Sequence, residues 1–318
     1  MNVEGRRLTQ GNAFPADSGV ADILAVAGGH SVVVIESRVP IGSGTLPKEV
    51  VHFVADGQRR SVVCKYAAAR GASHGHRHGT LHEARVYRRV LEASDLTVPK
   101  LIGSGLHGGR DWLAIEWLEG YQRLSEDPGG MQPAAAWLAR FHSEQAQRVS
   151  DPALAFLPTY DHDYYAGWAL RTVKFAAALP EKRPWLTDLS EYFLSNLALL
   201  LDGEPTVVHG EFTIHNVMVA PDVVKPIDWE SAAIGPGEID LMCLIDRWDD
   251  ATKAACITAY LDSRLAAAPM SSQRRLMAEL YLHFRWLGED PELMLGPKRA
   301  WRLDRLAELS GQVAGINR

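Results

Sequence analysis

Between residues 31 and 66 the chain reads SVVVIESR, KEVVHFVAD and RRSVVCKY, three runs dense in β-branched residues, with the dipeptide Asp56-Gly57 joining the second to the third. Such runs suit a pleated, half-buried backbone, and Asp-Gly between them marks a two-residue hairpin turn. An antiparallel meander of three strands is therefore expected. TLHEARVYRRVLEA follows, with Leu81, Ala84, Val86, Val90 and Leu91 at helical spacing and Thr80 three residues before Glu83, as in a capping box. VPKLIGSG and WLAIEWLEG, separated by a turn at His107-Gly108-Gly109, read as two further strands. From about residue 131 onward the texture is helical, as in MQPAAAWLARFHSEQ, Asp188 to Leu201, MAELYLHFRWLG and PKRAWRLDRLAELSGQV. TVVHGEFTIHNVMVAPDVVKPIDWE interrupts it with short strands around loops. The prediction is an α+β chain of two lobes: a small antiparallel β-rich lobe over residues 1–115, a hinge at 116–120, and a larger, mainly α-helical lobe over 121–318, with a ligand cleft between them.

Composition narrows the partners. With 318 residues and 47% hydrophobic content the chain can fill a sizeable core. Its formal charge of −6 supplies no basic field for a nucleic-acid backbone or an anionic membrane, so neither is expected as a partner. Cys64, Cys243 and Cys256 are scattered, form no CxxC pair and are odd in number, which suits buried thiols in a reducing compartment. The stretch MNVEGRRLTQGNAFPADSG has no apolar signal core, and no apolar run reaches a membrane-spanning length, so a cytoplasmic location is expected. No internal repeat or low-complexity tract is visible.

Transfer of a phosphoryl group from ATP asks a protein for a cover over the phosphates, a cation for their oxygens, oxygen ligands for Mg²⁺, and a group that orients the attacking hydroxyl. Each has a candidate in chain order. Gly42, Ser43 and Gly44, between the first two strands, can bring backbone N–H groups close to phosphate oxygens, or can be an ordinary glycine-rich turn. Lys65 stands on an otherwise apolar strand. Either it turns inward to pair with Glu83, or it ends the strand in solvent while Glu83 completes the capping box. Asn216 and Asp228 offer the hard oxygens that Mg²⁺ prefers. Glu211 precedes Asn216 by five residues, the step between acid and asparagine in a protein-kinase catalytic loop, and Asp228 follows twelve residues later.

Through HGEFTIHN and PIDWE the chain resembles the aminoglycoside phosphotransferase family, also called the phosphotransferase enzyme family, over about residue 31 to past 245. The resemblance implies a two-lobed protein-kinase-like fold, ATP or GTP with Mg²⁺ as cofactors, and a small hydroxylated molecule as acceptor, such as an aminoglycoside-like antibiotic, a sugar or a nucleoside. By the same resemblance His209 would order the catalytic loop, Asn216 and Asp228 would hold magnesium, and Asp240 in GPGEIDLMCL would anchor the loop. Backbone groups of Glu116, Trp117 and Leu118 would meet the adenine, and His142 in ARFHS matches a family helix end. The family usually reads HGD where this chain reads HGE, so Glu211 takes the place of the catalytic aspartate. The two acids differ little in intrinsic pKa, about 3.9 against 4.3. Geometry is what changes, because an extra methylene moves the carboxylate and adds a rotatable bond. Three readings follow: a kinase with Glu211 as base, a pseudokinase that binds nucleotide or metabolite without transfer, and an enzyme that transfers a nucleotidyl group.

For the acceptor, TYDHDYYAGW gathers carboxylates that can hold ammonium groups and aromatic faces that can stack on a sugar or planar ligand, or else it is a helix start whose tyrosines are core. Asp161, Asp163 and Tyr164, with Glu230 two residues after Asp228, are the candidate acceptor contacts, and DRWDD and GED add acidity nearby. His74, His76, His78 and His82 in SHGHRHGTLH follow no familiar metal-site spacing and read as a connector near the phosphates.

Overall fold

A computed structural model describes residues 14–41, 46–67, 75–265, 270–291, 294–296 and 298–316. In chain order its elements begin with α1 (Asp17–Gly28), β1 (Val33–Pro40), β2 (Lys48–Ala55), β3 (Gln58–Tyr66), α2 (Gly79–Val86), β4 (Leu101–His107), β5 (Arg110–Glu116) and β6 (Gln122–Arg123). They continue with α3 (Met131–Ala146), α4 (His162–Ala177), α5 (Pro184–Ser195), α6 (Leu197–Leu201), β7 (Pro205–Val208), β8 (Val217–Ala220), β9 (Val223–Pro226) and β10 (Ala233–Pro236). Helices α7 (Glu238–Ile245), α8 (Asp250–Ser263), α9 (Ser272–Gly288) and α10 (Trp301–Ile316) complete the set. The described residues fall into two compact units. One draws on the described residues within 14–67, 77–122 and 218–231, the other on those within 75–76, 123–217 and 232–316.

In the first unit five strands form an antiparallel sheet in the order β1-β2-β3-β5-β4. Its geometry follows from two tight turns. Asp56 and Gly57 both have positive φ, 51° and 73°, the left-handed pair that matches the twist of flanking strands. Gly108 and Gly109, at 55° and 77°, do the same between β4 and β5. A two-residue turn fixes register, so Ala55 faces Gln58 and, counting back along both strands, Lys48 faces Lys65.

Alternation then divides the sheet into two faces. Val51, Phe53, Ala55, Val62, Cys64, Tyr66, Trp112 and Ala114 bury themselves against Val20, Ile23 and Leu24 of α1. The sequence reading did not include α1, although its apolar positions recur at helical spacing. Burial under this helix pushes the Cys64 thiol up to about 12. Helix α1 comes close to the sheet at Gly103, where an added Cβ would stand 2.6 Å from the Ala27 Cβ and 2.9 Å from its Cα. Gly103→Ala should therefore lower stability by about 1–3 kcal/mol, read as a shift in the urea midpoint at constant slope.

The second helix differs from expectation in two respects. Leu81 is 44% exposed, because the buried strip runs through Ala84 and Val86 into Tyr87, Val90 and Leu91, which form a single π-helical turn. The capping box does not form. The helix starts one residue before Thr80, its N-cap residue His78 makes no side-chain cap bond, and the Glu83 carboxylate is engaged elsewhere. Segment Met218–Ser231, which follows the helical stretch in sequence, belongs with the sheet. Here β8 and β9 are hydrogen-bonded neighbours, Thr97 donates to the Val224 carbonyl at 2.9 Å, and Lys225 meets Glu116 at 3.0 Å.

In the second unit α9 packs on α4, α7 and α10, and α3 on α8. Trp137 stacks on both Phe141 and Phe212, with ring centroids 5.2 and 6.0 Å apart, so the residue after Glu211 is fastened into the helical core. Strands β7 and β10 pair antiparallel, and β7 delivers the chain directly into residues 209–216. Cys64, Cys243 and Cys256 are buried free thiols. Among the described residues no helix is long and apolar enough to cross a membrane.

Candidate active site

The face of the sheet opposite α1 carries three cross-strand pairs from β2 and β3: Lys48 with Lys65, Val50 with Val63, and His52 with Ser61. Residues directly opposite on an antiparallel pair leave the sheet on the same side, so this face grades from two cations through an apolar step to a polar pair. His52 Nδ1 and Ser61 Oγ are 2.7 Å apart and border a depression of about 590 Å³ together with Trp117 and Glu119.

Lys65 turns inward. Its Nζ donates to both Glu83 oxygens, at 2.7 and 2.9 Å, and to Asp228 Oδ1 at 2.8 Å. Burial opposes the ammonium charge, but Asp228 and Glu83 outweigh it, and the pKa of Lys65 is raised above its ordinary value. The lysine is a fixed cation at every physiological pH. Glu83 is held in turn by the Trp229 backbone N–H, 3.3 Å from Oε1. Asp228 has φ of 73°, a left-handed backbone that a non-glycine residue adopts at some cost and that recurs at functional sites. A second lysine, Lys48, brings its Nζ to 3.9 Å from Asp228 Oδ2. The sequence reading did not single it out.

In the second unit, the loop after β7 is built around Asp240. Its carboxylate accepts the backbone N–H of His209 at 2.6 Å and of Gly210 at 2.9 Å, and its Oδ2 lies 3.3 Å from His142 Nε2. His142 Nδ1 is 2.8 Å from the Tyr260 hydroxyl, and because a carboxylate only accepts, the bond to Asp240 is donated by Nε2–H. His209 Nδ1 accepts the Glu211 N–H at 3.3 Å, and Asn216 Nδ2 donates to the Glu211 carbonyl at 3.0 Å. The loop is thus closed by its own side chains. The amide orientation that satisfies Glu211 leaves Asn216 Oδ1 as a neutral oxygen acceptor.

The Glu211 side chain is buried and meets Arg285, which the sequence reading did not name, and His76, which it read only as part of a connector near the phosphates. Arg285 of α9 donates to Oε1 through Nη2, and His76 Nε2 lies 3.3 Å from the same oxygen. Burial works against the Arg285 charge, but Glu211 together with Tyr281, Glu289 and Tyr164 outweighs it and the guanidinium pKa is raised. His76 is also 2.9 Å from the Tyr164 hydroxyl through Nδ1, and Tyr164 stacks on Tyr160 with centroids 3.7 Å apart.

Of the candidate acceptor contacts, Tyr164 belongs to this aromatic group. Asp161 is the N-cap of α4, accepting the Tyr164 N–H at 3.0 Å, and the Asp163 side chain is 98% exposed in the first helical turn. Both carboxylates are accounted for by the helix start. Glu230 is buried in the first unit, 3.6 Å from Arg77 Nε, and its carbonyl accepts the His78 N–H. Glu116 ends β5 and holds Lys225 and the Lys100 N–H, with Trp117 half-buried and Leu118 buried after it. Gly42, Ser43, Gly44 and His74 lie outside the described residues. No group of three or more His, Cys, Asp or Glu able to hold a metal ion occurs among the described residues. Asp228 in the first unit offers a carboxylate and Asn216 in the second an amide oxygen, each a hard donor of the type Mg²⁺ prefers.

A strand lysine kept charged between a helix glutamate and a second carboxylate is the means by which kinases hold a nucleotide's phosphate chain and its metal. With the closed HGE…N loop, it places the protein among kinase-like phosphotransferases of α+β fold that act on small molecules. The chain belongs to the phosphotransferase enzyme family, whose profile matches residues 38–279. A search of curated proteins finds no match. Among solved structures, a choline/ethanolamine kinase family protein from Mesorhizobium loti is 14% identical, with 92% of this chain and 94% of that one covered at a TM-score of 0.63. Macrolide 2′-phosphotransferase MphH from Brachybacterium faecium is 16% identical, with 92% and 96% covered at 0.59. A thermostable mutant of an aminoglycoside phosphotransferase, solved with ADP and hygromycin B, is 15% identical, with 92% and 98% covered at 0.62. At these identities the likeness is one of fold.

Proposed function

We propose that the protein transfers the γ-phosphoryl group of ATP, with Mg²⁺, to a hydroxyl of a small molecule, and that Glu211 orients that hydroxyl. The observation that carries this reading is the triangle of Lys65, Glu83 and Asp228, closed by contacts of 2.7–2.9 Å around a buried cation. A buried charge cluster is costly to maintain, and a fold with no use for phosphate would gain by replacing it with apolar side chains. Lys65 holds the phosphate chain. Asp228 and Asn216 supply hard oxygens for magnesium, which neutralises charge on the transferring group when bound. The acceptor oxygen forms the new bond to phosphorus while the bond to the bridging oxygen of ADP breaks, and the hydroxyl proton passes to the Glu211 carboxylate. Arg285 fixes the longer glutamate side chain, so the added methylene need not mean a loose base.

The contact between Arg285 and Glu211 also favours a second reading. A carboxylate already committed to a buried guanidinium is less available to a substrate, as in a pseudokinase that binds nucleotide without transfer. Incubation with ATP, magnesium and a panel of hydroxylated metabolites and antibiotics, read by product mass, separates the two. Phosphorylated acceptor supports the first, binding without turnover the second, and pyrophosphate release would point to nucleotidyl transfer. With an acceptor in hand, Glu211→Gln should lower kcat by about 10²–10³-fold and leave the KM for ATP within about twofold. An unchanged kcat would remove Glu211 from the reaction.

A further inference from the structure

Lys48 and Lys65 are register partners on an antiparallel pair and project from the same face. Like charges so placed destabilise a sheet unless something between them repays the repulsion. What lies between them is Asp228. Lys65 takes one of its oxygens in a 2.8 Å hydrogen bond, whereas Lys48 stands 3.9 Å from the other, beyond hydrogen-bond reach. Both Glu83 oxygens are spent on Lys65. Lys48 is therefore held near the carboxylate by charge while its N–H donors remain uncommitted to it. Its side chain is only 18% exposed, so an anion meeting it there would be attracted more strongly than at an open surface.

Asp228 is also the residue assigned above to the divalent ion. A carboxylate engaged by that ion no longer neutralises two ammonium groups, and Lys48 then needs another anion. We infer that Lys48 is a second phosphate-binding cation, and that with Lys65 it forms a two-ammonium grip selecting a nucleoside triphosphate over shorter phosphate chains. Lys48 opens β2, four residues beyond Gly44 in sequence. Two point charges on flexible stems suit an anion whose oxygens are spread along a chain. This inference rests on the nucleotide reading of the site.

The test is binding and needs no acceptor. Affinities of the non-hydrolysable analogue AMP-PNP, of ADP and of adenosine are measured with magnesium for wild type, Lys48→Ala and Lys48→Arg, together with ligand-free melting. Losing a charge-assisted contact should weaken AMP-PNP about 10–100-fold in Lys48→Ala, ADP less, and adenosine by no more than about twofold. Lys48→Arg should recover most of the loss. Ligand-free Lys48→Ala should melt close to wild type, because the repulsion from Lys65 and the attraction to Asp228 are lost together. AMP-PNP binding unchanged in Lys48→Ala, or weakened equally with adenosine, would overturn the role of Lys48 while leaving the nucleotide reading intact. If wild type itself bound none of the three ligands, the nucleotide reading would fail and this inference with it.

Discussion

Asp228→Asn is expected to lower magnesium-dependent phosphoryl transfer by about 10³-fold or more while the protein remains folded. The substitution keeps size and the capacity for a left-handed backbone, which asparagine tolerates better than most residues, so the φ of 73° can persist. What it removes is one negative charge. Lys65 keeps both bonds to Glu83 and so stays paired, and the sheet and α1 are untouched. The loss should fall on kcat rather than on adenosine affinity, because in the proposed reaction the carboxylate acts on the phosphates and their metal. Initial rates over a magnesium series, with circular dichroism to confirm folding, give the answer. A rate within tenfold of wild type would exclude Asp228 as the metal carboxylate.

Asp240→Ala should have the largest effect on stability, about 3–5 kcal/mol. The residue is fully buried, and three groups converge on its carboxylate: the N–H groups of His209 and Gly210, and the His142 ring. Alanine leaves two backbone donors without acceptors, at about 1–3 kcal/mol each, and strands a histidine whose other nitrogen is held by Tyr260. No neighbour can move in easily, since the His142 ring already lies where a Cβ on Gly237 would be, at 2.6 Å from its Nδ1. Because His209 orders the Glu211 N–H, activity should disappear along with stability. Urea unfolding measures the first effect, and a variant as stable as wild type would show that the loop is held by something else.

Much of this architecture could be read from local chemistry. Asp56-Gly57 and Gly108-Gly109 announce their turns, and the β-branched runs around them become the sheet. Lys65 and Glu83 stand out because a charge on an apolar strand needs a partner. Helix α1 follows the same periodic rule in Val20, Ile23 and Leu24, but the sequence reading of elements began only at residue 31. Leu81 shows the limit of periodicity, since an apolar residue at helical spacing can still face water when the π-helical turn redirects the strip. Lys48 was legible only through register: nothing marks it locally, yet the turn length dictates that it faces Lys65. Arg285 had no local signal, and the histidine-rich stretch that carries His76 did not mark its partner. Both residues reach Glu211 from distant points of the chain, and only packing brings them together.

Insertions should not be borne equally on the two sides of β2. One residue added at Asp56-Gly57 would slip β3 by a single place against β2, and alternation would then exchange its faces, sending Lys65 toward α1 and Cys64 outward. The pairing of β1 with β2 already absorbs a bulge between Ile35 and Ser37, so slack on that side costs little. As such chains lengthen and shorten through evolution, the short turn is the ruler against which their chemistry is kept in phase.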